Sequence, residues 1–358
     1  MGEIAALDKR LCPSCGAEAN WNAAKQALVC PYCGTEAPGE LASDGRTIKE
    51  HDLVSALRAI PDEKRGWAKE RVAVQCKSCQ AITLFEPTRV AQRCDFCGSP
   101  SIVPYDKTPN AISPESLLPF TVSEPKVRES MRSWYGSRWF APNRLKKAAL
   151  TDTVRGIYVP YWTFDARVHA NWTAEAGHYY YETVRRNGRT ENVRRVRWEP
   201  AAGEIETTFD DELVAATHGV HPRLLVSVQP FPTTDLKPYD AGYVSGWVVE
   251  QYQIDLVAAA TKARTAMDAK VQAACGRAVP GDTYRNLEVD ATYSDQTFKH
   301  VLLPVWLLSY DYGRRSFQVV VNGVTGAIAG ERPWSWIKIL VAIVLGLIAL
   351  AIFGRLEN

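Results

Sequence analysis

Eight of the nine cysteines of this 358-residue chain fall into four C-x-x-C pairs. Cys12-Pro-Ser-Cys15 is followed by Cys30-Pro-Tyr-Cys33, and Cys76-Lys-Ser-Cys79 by Cys94-Asp-Phe-Cys97, with fourteen residues between the pairs in both copies. Each pair puts two sulfurs on one tight turn, and two such turns supply the four thiolates that zinc takes tetrahedrally at about 2.3 Å. The reading is two zinc ions, each held by four cysteines. A set of four leaves no position for water or substrate, so both ions are expected to be structural. Paired knuckles in a chain with no secretory signal indicate metal rather than disulfides, and a reducing compartment. Residues 1–10 mix acidic and basic residues without an apolar run, and read as a solvated lead-in.

Each ligand set must be positioned by a module too small to bury a core of its own, so metal binding has to supply most of its folding free energy, on the order of 10 kcal/mol. The first zinc ribbon is placed at 11–36 and the second at 75–99. Gly16 and Gly34 follow the second cysteine of their knuckles, where positive φ is expected. In the second ribbon Gln80 stands at that position, at some steric cost, and Lys77 replaces the knuckle proline. Ala17 to Val29 is long enough for a strand out, a turn and a strand back. Residues 37–74 read as a linker with a short helix within Ile48–Ile60. His51 lies there, but both sites already have four ligands. Residues 100–119 carry five prolines and read as an extended boundary.

A β-rich α+β domain is expected over 120–331. The eleven Trp and fifteen Tyr concentrate there. Ser123 can cap a helix over 126–135, and Asn143–Leu150 reads as a second short helix. Strands are expected at Thr153–Trp162 (across a kink at Pro160), Ala166–Trp172, Tyr179–Val184 and Val193–Trp198, with Asn187-Gly188 as a hairpin turn. That hairpin is basic: Arg185, Arg186, Arg189, Arg194, Arg195 and Arg197. It reads as a solvated face, or as a surface for anionic headgroups or an acidic partner. Asp210-Asp211-Glu212 reads as a helix start or turn. His218 and His221 lie three apart before Pro222, without the glutamate of a metalloprotease helix. Asp255–Cys275 is the clearest helix, with Gly276 as its cap and Cys275 as a small apolar residue. Strands follow at Leu287–Tyr293, Phe298–Tyr312, Ser316–Val321 and Val324–Ile328. Thr153–Trp162 and Thr297–Trp306 share one pattern (Thr, apolar, basic, any, three apolar, Pro, apolar, Trp), which suggests an internal duplication.

Residues 334–353 read as one C-terminal transmembrane helix. Ile339–Phe353 carries no charged or strongly polar group, Lys338 can snorkel, and Trp334 and Trp336 suit an interfacial belt. Flanking charge and the thiolates together place the N-terminal bulk in the cytoplasm, single-pass. Net charge is +2, so nucleic-acid binding does not follow from the whole-chain field. The chain has no G-x-x-x-x-G-K-[ST], G-x-G-x-x-G, G-x-S-x-G or H-E-x-x-H motif, and nothing pairs a nucleophile with a base. The one loose polar cluster is Asp210, Asp211, His218 and His221. A non-enzymatic reading follows.

Beyond the ribbons come Leu118-Pro-Phe120, Trp139-Phe-Ala-Pro-Asn143, Gly156-Ile-Tyr-Val-Pro-Tyr-Trp162, Phe298-Lys-His-Val-Leu-Leu-Pro-Val-Trp306 and Val321-Asn-Gly-Val-Thr-Gly326. Together with the ribbons, these resemble bacterial membrane proteins with transcription-factor-IIB-type zinc ribbons, which often carry primosomal or helicase-like labels. The nucleotide-binding loop a helicase needs is absent. The resemblance implies a membrane-anchored zinc protein of the bacterial inner membrane, working with SPFH-domain or phage-shock-type membrane proteins in envelope stress. The function expected is an adaptor or scaffold, free to form oligomers. The alternative is a nucleic-acid-binding ribbon protein tethered to the membrane.

Overall fold

The computed structural model describes residues 11–36, 47–58, 72–85, 93–104, 112–138, 140, 154–186, 189–312 and 315–356. The expected helix at Asn143–Leu150 and the Asn187-Gly188 turn lie outside these residues. The flanking pair Arg186↔Arg189 does leave a two-residue connection there.

Two long strands form the spine: β8 (Arg155–Arg186) and β12 (Thr283–Tyr312), paired antiparallel from Arg155↔Leu307 to Thr283↔Gly177. Five of the segments expected as separate strands are parts of these two. Pro160 and Pro304 do not break them, because each sits where the neighbouring strand peels away. β9 (Arg189–Ala215) stops pairing with β8 at Tyr161↔Ala215, and Ala216 then donates to the Pro160 carbonyl at 2.9 Å. β13 (Arg315–Asn322) stops pairing with β12 at Val305↔Asn322, and Gly323 donates to the Pro304 carbonyl at 2.9 Å. A proline without an N–H is tolerated where the ladder ends.

The echo between Thr153–Trp162 and Thr297–Trp306 is a spatial one. Val159 lies opposite Leu303, its own equivalent, so a local two-fold passes between them. β7 (Ser116–Leu117) runs parallel to β12 at Val301 and Leu302, as β11 (Val248–Glu250) runs parallel to β8 at Ile157 and Tyr158. Two short edge pieces complete this region: β3 (His51–Asp52) on β12, and β10 (Lys237–Pro238) on β7. The Trp306 indole donates to the Val122 carbonyl and the Trp162 indole to that of Ile254, both at 2.9 Å. One residue after each of these carbonyls a helix is capped. Ser123 precedes α2 (Glu124–Gly136), and Asp255 precedes the helix over Leu256–Ala278. Ser123 makes no side-chain cap bond, whereas the Asp255 carboxylate accepts from Ala258 at 2.8 Å.

Numbered in chain order, the short helices are α1 (Leu53–Arg58), α3 (Pro222–Ser227) and α4 (Ala241–Val244), and Leu256–Ala278 is α5. The helix α5 lies on the three-stranded part of the sheet. It buries Leu256, Ala259, Ala263, Met267, Val271 and Cys275 against the alternate residues Ala166–Ala176 of β8. Gly276 is not its cap. The helix runs on to Ala278, and a Cβ on Gly276 would press on the hydroxyl end of the half-exposed Tyr284 side chain, which would have to shift. Asp210 and Asp211 are not a helix start. They form a bulge inside β9, opposite Asp165, with Asp211 at φ +54°. Val324–Ile328 is chiefly a turn rather than a strand. The Asn322 side chain accepts from Val324 and Thr325, and β14 covers Ile328–Gly330.

The last helix, α6 (Trp336–Leu356), is 21 residues long. Among its described side chains, Leu340, Val341, Ile343, Val344, Leu345 and Leu347 are each about half exposed or more. Among the residues with described side chains, which end at Ala349, no helix is long and apolar enough to cross a membrane.

Candidate metal centres

The first ribbon is a hairpin of β1 (Asn20–Asn22) and β2 (Ala27–Val29) between two knuckles. Each knuckle closes through an amide donating four residues back: Gly16 to Cys12 at 2.8 Å and Gly34 to Cys30 at 3.0 Å. Gly16 and Gly34 hold φ of +73° and +72°, as the turn chemistry requires. In the second ribbon Gln80 takes φ +65°, donates to Cys76 at 2.9 Å, and its side chain donates to the Lys77 carbonyl at 2.9 Å, which offsets its strain. β4 (Val72–Cys76) pairs with β5 (Ile82–Phe85) around this knuckle, and β6 (Ile102–Pro104) flanks β4.

The eight predicted cysteines come together as two groups of four, with all sulfurs of a group within 4.8 Å of one another. Cys12–Cys33 and Cys15–Cys30 are 3.5 Å apart, and Cys76–Cys97 and Cys79–Cys94 are 3.6 Å apart. A disulfide would need about 2.05 Å. Four sulfurs at about 2.3 Å from one tetrahedral centre would lie about 3.8 Å from each other, close to what is seen. Each group could therefore hold a metal ion. The protons are shared unevenly within each group. The Thr35 hydroxyl and amide hold the Cys33 thiol down to about 6. Contact with Cys79 and Cys94 holds Cys97 far below the thiol range, while Cys94 and Cys97 push Cys79 far above it. Four ionised thiolates this close require a cation between them.

The two groups differ in their surroundings. In the first ribbon Cys15 and Cys33 are exposed and Tyr32 is 83% exposed. Its hairpin is the attached end. The Trp21 indole donates to the Phe120 carbonyl at 3.2 Å, the Trp21 amide donates to Ser245 at 3.3 Å, and the Trp247 indole donates to the Trp21 carbonyl at 3.2 Å. In the second ribbon the knuckle itself is buried. Phe96 is fully buried, its carbonyl accepts from the Ser309 hydroxyl, and the buried Asp95 carboxylate pairs with the partly exposed Arg155 guanidinium at the start of β8. The strands β4, β5 and β6 continue the large sheet through β5–β11 pairing. The sequence places this ribbon between linkers; in the structure it is part of the sheet.

The remaining candidates divide. Asp210 and Asp211 join Asp165 in a three-carboxylate group, without His218 or His221. The Lys299 ammonium lies 2.8 Å from Asp211 and 3.0 Å from Glu50. Burial works against its charge, but Asp211 and Glu50 outweigh it and the Lys299 pKa is raised. The group thus has a cation supplied by the chain. His221 is a helix cap, its Nδ1 accepting from Arg223 at 3.3 Å, and its amide donates to Gln318. His51 pairs with Glu115 at 2.7 Å. Cys275 is fully buried, an apolar space-filler as expected.

Sequence reasoning missed Asp95, Phe96, Arg155 and Glu250. A signal existed for the first two: an aspartate and a phenylalanine inside a knuckle where the first ribbon has Pro-Ser and Pro-Tyr. Glu250 lies beneath the second ribbon, paired through its backbone with Thr83. Burial pushes its carboxyl up to about 8, against the hydrogen bonds from Thr217 (2.6 Å) and Gln253 (2.7 Å).

No family model and no solved structure matches this chain. Among curated proteins, the chain is similar to the uncharacterised protein YdjG of Bacillus subtilis (strain 168), with 26% identity over 235 residues, covering 64% of this chain and 67% of that protein. That name assigns no activity.

Proposed function

We propose that this chain is a membrane-anchored zinc adaptor on the cytoplasmic face of a bacterial inner membrane. The observation that carries it is the asymmetry of the ribbons: one is built into the sheet, while the other turns its knuckle, with Tyr32, to solvent. A closed four-cysteine site has no place for substrate, so its exposed rim is a surface for contact rather than for chemistry. Zinc is the metal that tetrahedral thiolate sites of this spacing take, although iron shares the preference. The anchor is α6. Its 21 residues give about 31 Å of helix, the thickness of a hydrocarbon core, and its described side chains from Ile339 to Ala349 are apolar on every face, with Lys338 near the start of the helix. The partners that the resemblance implies are SPFH-domain or phage-shock-type membrane proteins.

The test is crosslinked recovery of the full-length chain from membranes, read by mass spectrometry, alongside the Tyr32→Ala variant and metal analysis. The expected result is zinc in both sites, retention in the membrane after alkaline carbonate washing, and a partner protein that Tyr32→Ala loses. Recovery of nucleic acid in place of protein would move the reading to the tethered nucleic-acid binder. Release by carbonate would remove the anchor.

A further inference from the structure

Beyond the two-fold core, one hairpin is much longer than its equivalent. The β12–β13 hairpin closes at Tyr312↔Arg315, but the β8–β9 hairpin runs on to Arg186↔Arg189. Tyr312 is equivalent to Val168, so the extension is eighteen residues of β8, about 60 Å at ~3.3 Å per residue. The core does not need it, since the other copy does without. The result is an arm, three-stranded at its stem and two-stranded at its tip. Helix α5 covers one face of the stem. The opposite face carries the odd-numbered residues of β8 and is solvent-exposed, and β9 pairs with β8 alone among the described strands.

Charge on that open face is segregated along the arm. The stem presents Glu204 and Glu206 from β9 and Glu288 and Asp290 from β12, all exposed; Arg167, His169 and Arg285 share this face, Arg167 paired with Asp295, Arg285 with Glu175, and His169 lying within 4 Å of Glu204 and Glu206, so the balance of the stem stays acidic. The tip presents Arg185 and Arg194, with the Arg194 guanidinium 4.3 Å over the Tyr179 ring and Tyr181 70% exposed beside them. Along β9 the basic and acidic stretches lie on either side of Pro200. A second arm running antiparallel, crossing near the level of Glu175, would bring each tip over the other's stem. The shared face would be about 20 residues long and two to three strands wide, roughly 70 by 12 Å, or about 800 Å² per partner, the size of a specific interface. Exposed tyrosine and arginine are the residue types that anchor interfaces.

We propose that the arms of two copies of this chain pair antiparallel, open face to open face, basic tip on acidic stem, to form a closed two-fold dimer. Because the two tip–stem contacts are equivalent by symmetry, each charge reversal acts twice. The inference is independent of the adaptor reading and of either metal.

The test uses the full chain in detergent micelles, with its mass measured by sedimentation at about 50 mM and about 500 mM salt. One variant reverses the tip (Arg185→Glu with Arg194→Glu) and another the stem (Glu204→Arg with Glu206→Arg). The wild type is expected to be a dimer that weakens with salt, and each variant alone to weaken at least about tenfold, the effect of 1.4 kcal/mol. A 1:1 mixture of the two variants is expected to restore a dimer containing one of each, because an acidic tip then meets a basic stem on one side and a basic tip meets an acidic stem on the other. All the exchanged residues are exposed, so misfolding is excluded by an unchanged melting curve. A monomeric wild type, or a dimer that neither reversal weakens, overturns the proposal. So does a mixture that fails to re-form the dimer. Loss of binding to vesicles of anionic phospholipid by the tip variant, with its dimer intact, would assign the tip to lipid and overturn it as well.

Discussion

The two ribbons share one ligand spacing and one knuckle geometry, yet they are attached to the molecule by opposite ends. The first docks through Trp21 on its hairpin and leaves Cys15, Cys33 and Tyr32 exposed. The second docks through Asp95 and Phe96 inside its knuckle, and its strands extend the main sheet. The metal motif therefore dictates the local turn and little else. Which surface of the module faces the protein is set by the two residues between the cysteines. In the first ribbon Ser14 pairs within the ribbon, with Thr35, and Tyr32 stays exposed, while Asp-Phe offers a ring for the core and a charge for Arg155.

If that contrast is correct, the largest difference should come from the ligands. Cys94→Ser and Cys33→Ser should each remove one metal. A structural site supplies on the order of 10 kcal/mol, and in the second ribbon that energy holds sheet strands. Cys94→Ser should abolish the cooperative melt followed by circular dichroism, whereas Cys33→Ser should keep it and show raised amide exchange confined to residues 11–36. A cooperative melt retained by Cys94→Ser would break the comparison. Next come the anchors. Phe96→Ala should cost about 3–5 kcal/mol from the lost core contacts, and Arg155→Ala about 3–5 kcal/mol by stranding the buried Asp95 carboxylate, both measured by denaturant titration.

The pH dependence should also sit under the second ribbon. Glu250 has a folded-state pKa of about 8 against 4.5 for the ordinary side chain, so the folded state holds the extra proton between them. Stability is then full below pH 4.5 with respect to this group, falls as pH rises through that window, and levels off above about 8. Glu250→Gln should flatten that part of the melting-temperature profile; an unchanged slope would show that the carboxyl is ionised in the fold. The smallest effect is expected at the exposed end of the first ribbon. Tyr32→Ala should shift stability by about 0.5 kcal/mol or less, while reducing partner recovery.

Much of the molecule is legible in its amino-acid order. The eight ligands and the positive-φ knuckle positions follow from spacing and turn chemistry, since a C-x-x-C turn is a local object. The long helix after Asp255 follows from an alanine-rich run behind a capping aspartate. The echo of Thr153–Trp162 in Thr297–Trp306 points to a duplication because both prolines and both tryptophans serve the same roles in it. Other features are not legible there. Asp210-Asp211 looks like a helix start in one dimension because aspartates cap helices. It becomes a bulge only because β8 and β9 pair across it and Lys299, far along the chain, neutralises it. Gly276 looks like a cap until Tyr284 is seen against it.

By itself, then, the sequence determined the two four-cysteine groups, the long helix behind Asp255, the apolar C-terminal segment and the presence of two related halves. All of these rest on neighbours within a few residues, or on repeated pattern. The tertiary structure alone decided how the ribbons attach, that β8 runs unbroken for 32 residues, and that a basic tip and an acidic stem share one open face. Those outcomes depend on which strands pair and in what register, and a one-residue change in register would have turned each of those side chains to the other face.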